Sequence, residues 1–261
     1  MLADEQNLSG CRVLMTRTAE QNIPLANMLV QRGAIPIAFP CLEKEVLSDG
    51  VTDGLHKIEN VSDIILTSVN SVHVLAESSR QALQVLFETK RIAVVGEKTA
   101  RSLQALQIEP AIIAAPASQQ GLVDAYRALP VPASVLMFRA EEGADTLQQY
   151  FLEQQVPFEL VKVYRMRLPE YTDVQLKQVR GSLARDEVDA VLLGSPKTAE
   201  HYLHLMANIS LANRPILVAI SQQVACTARD IGLNVRVIAE ETSFHGMLDA
   251  LQIYLNLEAQ R

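Results

Sequence analysis

The sequence predicts an α/β protein built from two similar parallel-sheet domains. Short apolar runs of strand length alternate with longer stretches of helical periodicity, the pattern of a parallel sheet covered on both faces. The pattern then repeats. Val13-Leu-Met-Thr-Arg17 returns as Val135-Leu-Met-Phe-Arg139, Leu25–Gln31 as Leu147–Glu153, and Leu66-Thr-Ser-Val69 as Leu192-Leu-Gly-Ser-Pro196. Ile92–Gly96 returns as Leu217–Ser221, and Gln120-Gly-Leu122 as His245-Gly-Met247. Every pair lies 122 to 127 positions apart, which reads as the duplication of one α/β unit. A length of 261 residues, 49% of them hydrophobic, is enough for two cores.

Arg12–Thr16 reads as a strand ending at Arg17. Ile23, Leu25, Ala26, Leu29 and Val30 share one face of a helix over Glu20–Gln31. Pro24 is placed in its first turn, where a missing N–H is tolerated, and Gly33 lies past its end. Ile35–Phe39 is a strand that Pro36 and Pro40 mark as a sheet edge or a domain exit, and residues 40–46 continue extended. Ile64–Leu66 is a buried strand. Helices are expected over Ser71–Glu77 and Gln81–Thr89, with strands at Arg91–Val95 and Pro110–Ala115. Gly96 opens a helix between those strands, and Ser118 begins another that ends near Leu129. In the second copy, strands are expected at Val135–Arg139 and Leu160–Tyr164, and again before Gly194 and Ser221. Taken alone, the repeat puts a domain boundary near Pro130–Pro132.

Function is sought where strands run into helices. A strand ending in Thr67-Ser-Val-Asn-Ser71 leaves free backbone N–H groups at the helix start, with Thr67, Ser68, Asn70 and Ser71 beside them. That is a cradle for a carboxylate or phosphate. Its counterpart is Ser195-Pro-Lys-Thr198. Gly96, Lys98 and Thr99 form a second such turn, echoed at Ser221. Arg17 and Arg139 stand at matched strand ends. Each of these hydroxyls would serve equally well as a plain helix cap, and Arg17 as half of a surface ion pair.

Composition excludes several classes. Against 23 Lys and Arg stand 30 Asp and Glu, a net charge of −7, which opposes binding of nucleic acid by overall charge. Cys11, Cys41 and Cys226 match no disulfide framework or metal-ligand spacing and suit a reducing cytoplasm. His56, His73, His201, His204 and His245 form no ligand set. Met1-Leu-Ala-Asp-Glu-Gln-Asn7 lacks the apolar core of a signal peptide, and no apolar run reaches the ~20 residues of a membrane span. Neither a Gly-x-Gly-x-x-Gly nor a Walker pattern occurs, which disfavours a nucleotide-dependent enzyme.

The order and spacing of Val13-Leu-Met-Thr-Arg17, Asp63-Ile-Ile-Leu-Thr-Ser-Val-Asn70, Ala93-Val-Val-Gly-Glu-Lys-Thr-Ala100, Val163-Tyr-Arg165 and Gly194-Ser-Pro196 resemble the uroporphyrinogen-III synthases. The resemblance runs along nearly the whole chain. It implies two flavodoxin-like α/β domains joined by a two-stranded connector, with a cleft between them. Residues 1–38 and 168–261 would form one discontinuous domain and 43–164 the other, with connectors at 38–43 and 163–168. It further implies a cofactor-free, metal-free, cyclising hydro-lyase acting on hydroxymethylbilane, and Tyr164 as its proton donor. The protein would be a cytoplasmic monomer, free of nucleic acid and membrane, in transient contact with the upstream hydroxymethylbilane synthase.

Three turns of the second copy depart from the family pattern. Gly194-Ser195 stands where Thr-Ser is usual. Ser221 with Val224-Ala225 stands where Gly is followed three residues later by Thr-Ala. Arg139-Ala140 with Gly143-Ala144 replaces Arg-Gly and a nearby Gly-Arg. These departures raise one alternative, a non-catalytic ligand-binding homologue with the same fold.

Overall fold

Strands that are apolar on both faces set the layering. The computed structural model describes residues 8–260. Its elements begin with β1 (Arg12–Met15), α1 (Ala19–Gln31) and β2 (Ile35–Ala38). There follow β3 (Glu43–Val46), α2 (Ser48–Lys57) with a 3-10 turn over Ile58–Asn60, β4 (Asp63–Leu66), α3 (Val69–Phe87) and β5 (Arg91–Val94). Next come α4 (Glu97–Gln104), β6 (Ile112–Ile113), α5 (Gln119–Arg127), β7 (Val135–Ala140), α6 (Thr146–Glu153) and β8 (Phe158–Arg167). The chain finishes with α7 (Asp173–Ala184), β9 (Ala190–Leu193), α8 (Pro196–Met206), α9 (Ile209–Ala212), β10 (Ile216–Ala219), α10 (Gln222–Asp230), β11 (Val235–Ile238) and α11 (Phe244–Ala259).

Two compact units result. One joins the chain up to Glu43 with that from Arg167 onward; the other is Lys44–Met166. Pro130–Pro132, the repeat junction, falls inside the second unit, just before β7. The first unit holds a parallel sheet of order β11-β10-β9-β1-β2. The second holds a sheet of order β3-β8-β7-β4-β5-β6, parallel from β8 through to β6. Replacing each strand by its repeat equivalent turns one order into the other, with β3 added at an edge. The first matches the doubly wound order in which the sheet reverses direction next to its first strand, and the second reaches the same spatial order with its strands permuted along the chain. Those reversals fall between β1 and β9, and between β7 and β4.

Each sheet buries both faces. In the first unit, Leu14, Val191, Leu193, Leu217 and Val235 pack with Tyr202, Leu205 and Ala225 of α8 and α10. Val13, Met15, Leu192 and Val218 pack with Leu25 and Leu29 of α1 and Met247, Leu248 and Leu251 of α11. In the second, Ile64, Leu66, Ile92 and Phe138 meet Val72, Leu75 and Leu103, while Ile65, Ala93 and Met137 meet Leu122, Tyr126 and Phe151. β4 and β9 are buried at all four positions, as central parallel strands require. β2 is an edge, as its prolines imply. No helix among the described residues is long and apolar enough to cross a membrane.

Several elements differ from the sequence expectation. The two helices expected over 71–77 and 81–89 are one 19-residue helix, α3. Ser78 does not break it, because its hydroxyl donates back to the Val74 carbonyl at 3.3 Å. Pro24 lies in the second turn of α1, since Thr18 caps the helix earlier, with its side chain accepting from Gln21 N. The strand expected over 110–115 shrinks to Ile112–Ile113. Periodicity leaves α2 and α7 unassigned. In α2 the glycines that suggest a loop are instead close-packing positions: a Cβ on Gly50 would lie 2.1 Å from the Lys162 carbonyl oxygen, and one on Gly54 2.4 Å from Phe138.

At the amino edge of the second sheet, Asp63 is only 2% exposed and is fully paired. It accepts from Arg91 Nε at 2.6 Å, Tyr126 Oη at 3.0 Å and Ser62 Oγ at 2.9 Å. Burial, reinforced by the Asp63 charge, pushes the Tyr126 hydroxyl well above the ordinary phenol range. Removing the carboxylate strands a guanidinium and a buried phenol. Asp63→Ala is therefore expected to cost about 3–5 kcal/mol in chemical unfolding of this unit. Arg91→Ala should cost clearly less, because Tyr126 and Ser62 still hold the carboxylate; equal losses would contradict this ranking.

Candidate functional site

Ligands of doubly wound sheets collect outside the carboxyl ends of the strands, where the order reverses. In the second unit that point lies at the end of β4, beside β7. Ser68 caps α3, accepting from Ser71 N at 3.2 Å. Its Oγ also lies 3.1 Å from Ser71 Oγ and 3.0 Å from Tyr164 Oη. Tyr164 reaches it because β8 slips register: Arg139 faces Lys162, but Ala140 faces Tyr164. The slip breaks the alternation of the strand, so that Val163 and Tyr164 are both buried in one cluster. Thr67 and Asn70 are half-buried beside this cap.

Gly96 caps α4 with a φ of +80°, where only glycine sits without strain, and no side chain closes that helix start. A Cβ there would also meet Ala117 Cβ at 2.7 Å. Thr99 is buried and donates to the Val95 carbonyl at 3.1 Å, while Lys98 is exposed.

The first unit repeats the arrangement. Ser195 caps α8, accepting from Thr198 N at 3.1 Å, with Pro196 at the first helical position. Lys197 is half-buried in that first turn. Ser221 caps α10 and accepts from Val224 N at 3.4 Å. The helix start that glycine leaves open at α4 is thus closed by a hydroxyl at α10. Thr16, Thr18 and Asn22 also belong to this site, and repeat comparison misses them because their counterparts are not polar caps. Thr16 is fully buried and donates to the Leu192 carbonyl at 2.5 Å, tying β1 to β9 at the reversal. Asn22 donates to the Met15 and Arg17 carbonyls at 3.3 and 3.1 Å.

The matched arginines have diverged. Arg139 is 7% exposed and is bound to its own following loop, through the Ala144 carbonyl and Asp145 Oδ1 at 2.9 Å. An internal carboxylate therefore neutralises it. Among the described residues Arg17 donates only to the Gly194 carbonyl, at 3.2 Å, and its buried Nε has no partner. Burial lowers its pKa, the mark of a cation lacking a compensating anion. The oxygens Asn22 Oδ1 and Gln21 Oε1, buried in the same turn, are likewise unpartnered among the described residues.

A family model described as uroporphyrinogen-III synthase HemD matches residues 24–249. The chain belongs to the uroporphyrinogen-III synthase family. It is 28% identical to a uroporphyrinogen-III synthase of Synechococcus elongatus, over 95% of this chain and 97% of that one. It is 26% identical to the porphyrin biosynthesis protein HemD of Ruminiclostridium josui, over 94% of this chain but only 48% of that protein, so it spans about half that relative's length. The solved structure of a Helicobacter pylori uroporphyrinogen-III synthetase is similar, with a TM-score of 0.65 at 18% identity, covering 94% of this chain and 99% of that one. A mutant Thermus thermophilus uroporphyrinogen III synthase gives 0.62 at 18%, covering 95% and 99%. These two likenesses establish the shared fold.

Within a uroporphyrinogen-III synthase scaffold, the departure at Gly194 has a local cause. A Cβ at this position would lie 2.5 Å from Arg17 Cδ, so glycine is what lets Arg17 cross the end of β9. The cap itself is retained by Ser195. Gly194→Thr is expected to cost about 1–3 kcal/mol by overpacking against Arg17, and much less in an Arg17→Ala background. Additive losses in chemical unfolding would show that the two side chains do not meet.

Proposed function

We propose that this chain closes hydroxymethylbilane to uroporphyrinogen III, inverting ring D through a spiro intermediate, as a cytoplasmic, monomeric hydro-lyase. The observation carrying this beyond family membership is the row of helix starts along the carboxyl edge of each sheet. These present backbone N–H groups at Ser68, Gly96, Ser195 and Ser221. The substrate is a linear tetrapyrrole carrying carboxylates on every ring. Backbone amides suit it because they are preorganised and add no mobile charge, so a protein of net charge −7 can still hold a polyanion. Arg17, without an acidic partner among the described residues, adds one cation on which a carboxylate gains most.

Unassisted closure of the bilane gives the uninverted isomer, so the principal task is to hold a flexible chain bent before its ends join. Orientation of this kind supplies several kcal/mol. Chemistry begins with departure of the terminal hydroxyl. Tyr164 gives its proton to that oxygen as the C–O bond breaks, water leaves, and the ring A azafulvenium remains. The substituted carbon of ring D attacks this cation; fragmentation and reclosure invert the ring. Loss of a ring proton at the end restores the phenol. A phenol can give up a proton and take one back, as both steps require. The substrate would arrive from hydroxymethylbilane synthase by transient contact.

The alternative, a non-catalytic homologue, draws on the departures at Gly194, Ser221 and Val224, yet Ser195 and Ser221 keep both helix starts capped. A coupled assay that makes hydroxymethylbilane in situ and resolves the two uroporphyrinogen isomers decides between them. Isomer III should predominate, whereas isomer I at saturating protein would establish the non-catalytic reading. Tyr164→Phe should lower turnover roughly tenfold, and an unchanged single-turnover rate would remove Tyr164 from the mechanism.

A further inference from the structure

We propose that Ser71, through Ser68, is a positioning residue that turns the Tyr164 hydroxyl proton outward, toward the departing group. The inference rests on the reaction proposed above for its catalytic consequence, but its structural content stands on hydrogen-bond bookkeeping alone.

Three hydroxyls meet at Ser68 Oγ, and oxygen positions by themselves do not say which donates. Ser68 Oγ has two lone pairs and one proton. One lone pair is taken by the Ser71 N–H, which donates to it at 3.2 Å. What remains is one lone pair and one proton for two neighbours, Ser71 Oγ at 3.1 Å and Tyr164 Oη at 3.0 Å. Ser68 therefore donates to one and accepts from the other, and only two wirings are possible. In the first, Tyr164 donates to Ser68 and Ser68 donates to Ser71. The Ser71 proton then has nowhere to go, because Ser71 is 0% exposed and Ser68 is the only hydrogen-bonding partner of its hydroxyl among the described residues. A buried donor left without an acceptor keeps its desolvation penalty uncompensated, which the other wiring avoids. In the second wiring, Ser71 donates to Ser68 and Ser68 donates to Tyr164 Oη. Every group at Ser68 is then satisfied, and the one uncommitted proton is that of Tyr164, which keeps 5% exposure.

The duplicated turn shows that this direction is specific to the first copy. There Thr198 Oγ1 donates to the Ser195 carbonyl at 2.7 Å, so Ser195 Oγ gives its own proton to Thr198, 2.7 Å away. The network closes on itself. Among the described residues Ser71 has no such bond to a carbonyl, and its proton is passed outward instead.

The second wiring suits an acid. When Tyr164 Oη releases its proton to the leaving hydroxyl, the Ser68 O–H already points at the phenolate oxygen and stabilises the developing charge without reorganisation. The first wiring would direct the proton away from substrate.

Neutron diffraction from crystals exchanged into heavy water tests the wiring directly and does not depend on activity. Deuterium on Ser71 pointing at Ser68, and on Ser68 pointing at Tyr164, is expected. Deuterium of Tyr164 lying on the line to Ser68 would overturn the proposal. Kinetics supply the second arm. Ser71→Ala should lower kcat several-fold with KM unchanged, Ser71→Thr should restore it, and Ser71→Ala should cost nothing further in a Tyr164→Phe background. Equal losses in both backgrounds would show a merely structural role and overturn the catalytic half. Absence of isomer III from the unmodified protein would instead defeat the proposed reaction, leaving the neutron result to decide the wiring.

Discussion

The constraint on which everything else depends is the reversal of strand order in each parallel sheet. Where β1 meets β9, and β7 meets β4, the helices on either side leave in opposite directions and cannot cover the strand ends. Backbone N–H groups of the following helices are left pointing outward at that gap. The amino edges are the reverse case. There charged groups face one another and are consumed: Arg12 with Asp189, Arg214 with Asp186, Arg91 with Asp63. One edge is closed by its own side chains and the other is left as main-chain dipoles.

Duplication then allowed the two copies to part. Arg139 has acquired Asp145 and lost its freedom, while Arg17 lies across a glycine with no carboxylate within reach among the described residues. Ser221 closes a helix start that Gly96 keeps open. Ser195 and Thr198 exhaust each other's protons, while Ser68 and Ser71 have one to offer Tyr164. In each pair the backbone is common and one or two side chains set the copies apart.

Much of this was legible in the sequence because buried parallel strands are short apolar runs that only a core explains, and because the repeat doubled every signal. Val13–Arg17 and Val135–Arg139 identify each other. The misses share a different cause. Gly50 and Gly54 resemble loop residues until Lys162 and Phe138 are seen pressing on the helix. The capping box of Thr172 and Gln175 is a readable signal for α7, but α7 has no counterpart among the matched segments. The placement of Tyr164 depends on a register slip in β8, and the burial of Arg17 on a glycine nearly 180 positions away in sequence; no local pattern carries either.

The central claim, that main-chain amides at the carboxyl edges hold the carboxylates, is tested most directly by amide chemical shifts in labelled protein. A tetrapyrrole polycarboxylate such as uroporphyrin III would be titrated in, with the amides followed residue by residue. The largest changes should fall on the first turns of α3, α4, α8 and α10 and on the Arg17 side chain. Changes confined to the amino edges, around Asp189, Arg214 and Asp63, with the helix starts unmoved, would contradict it.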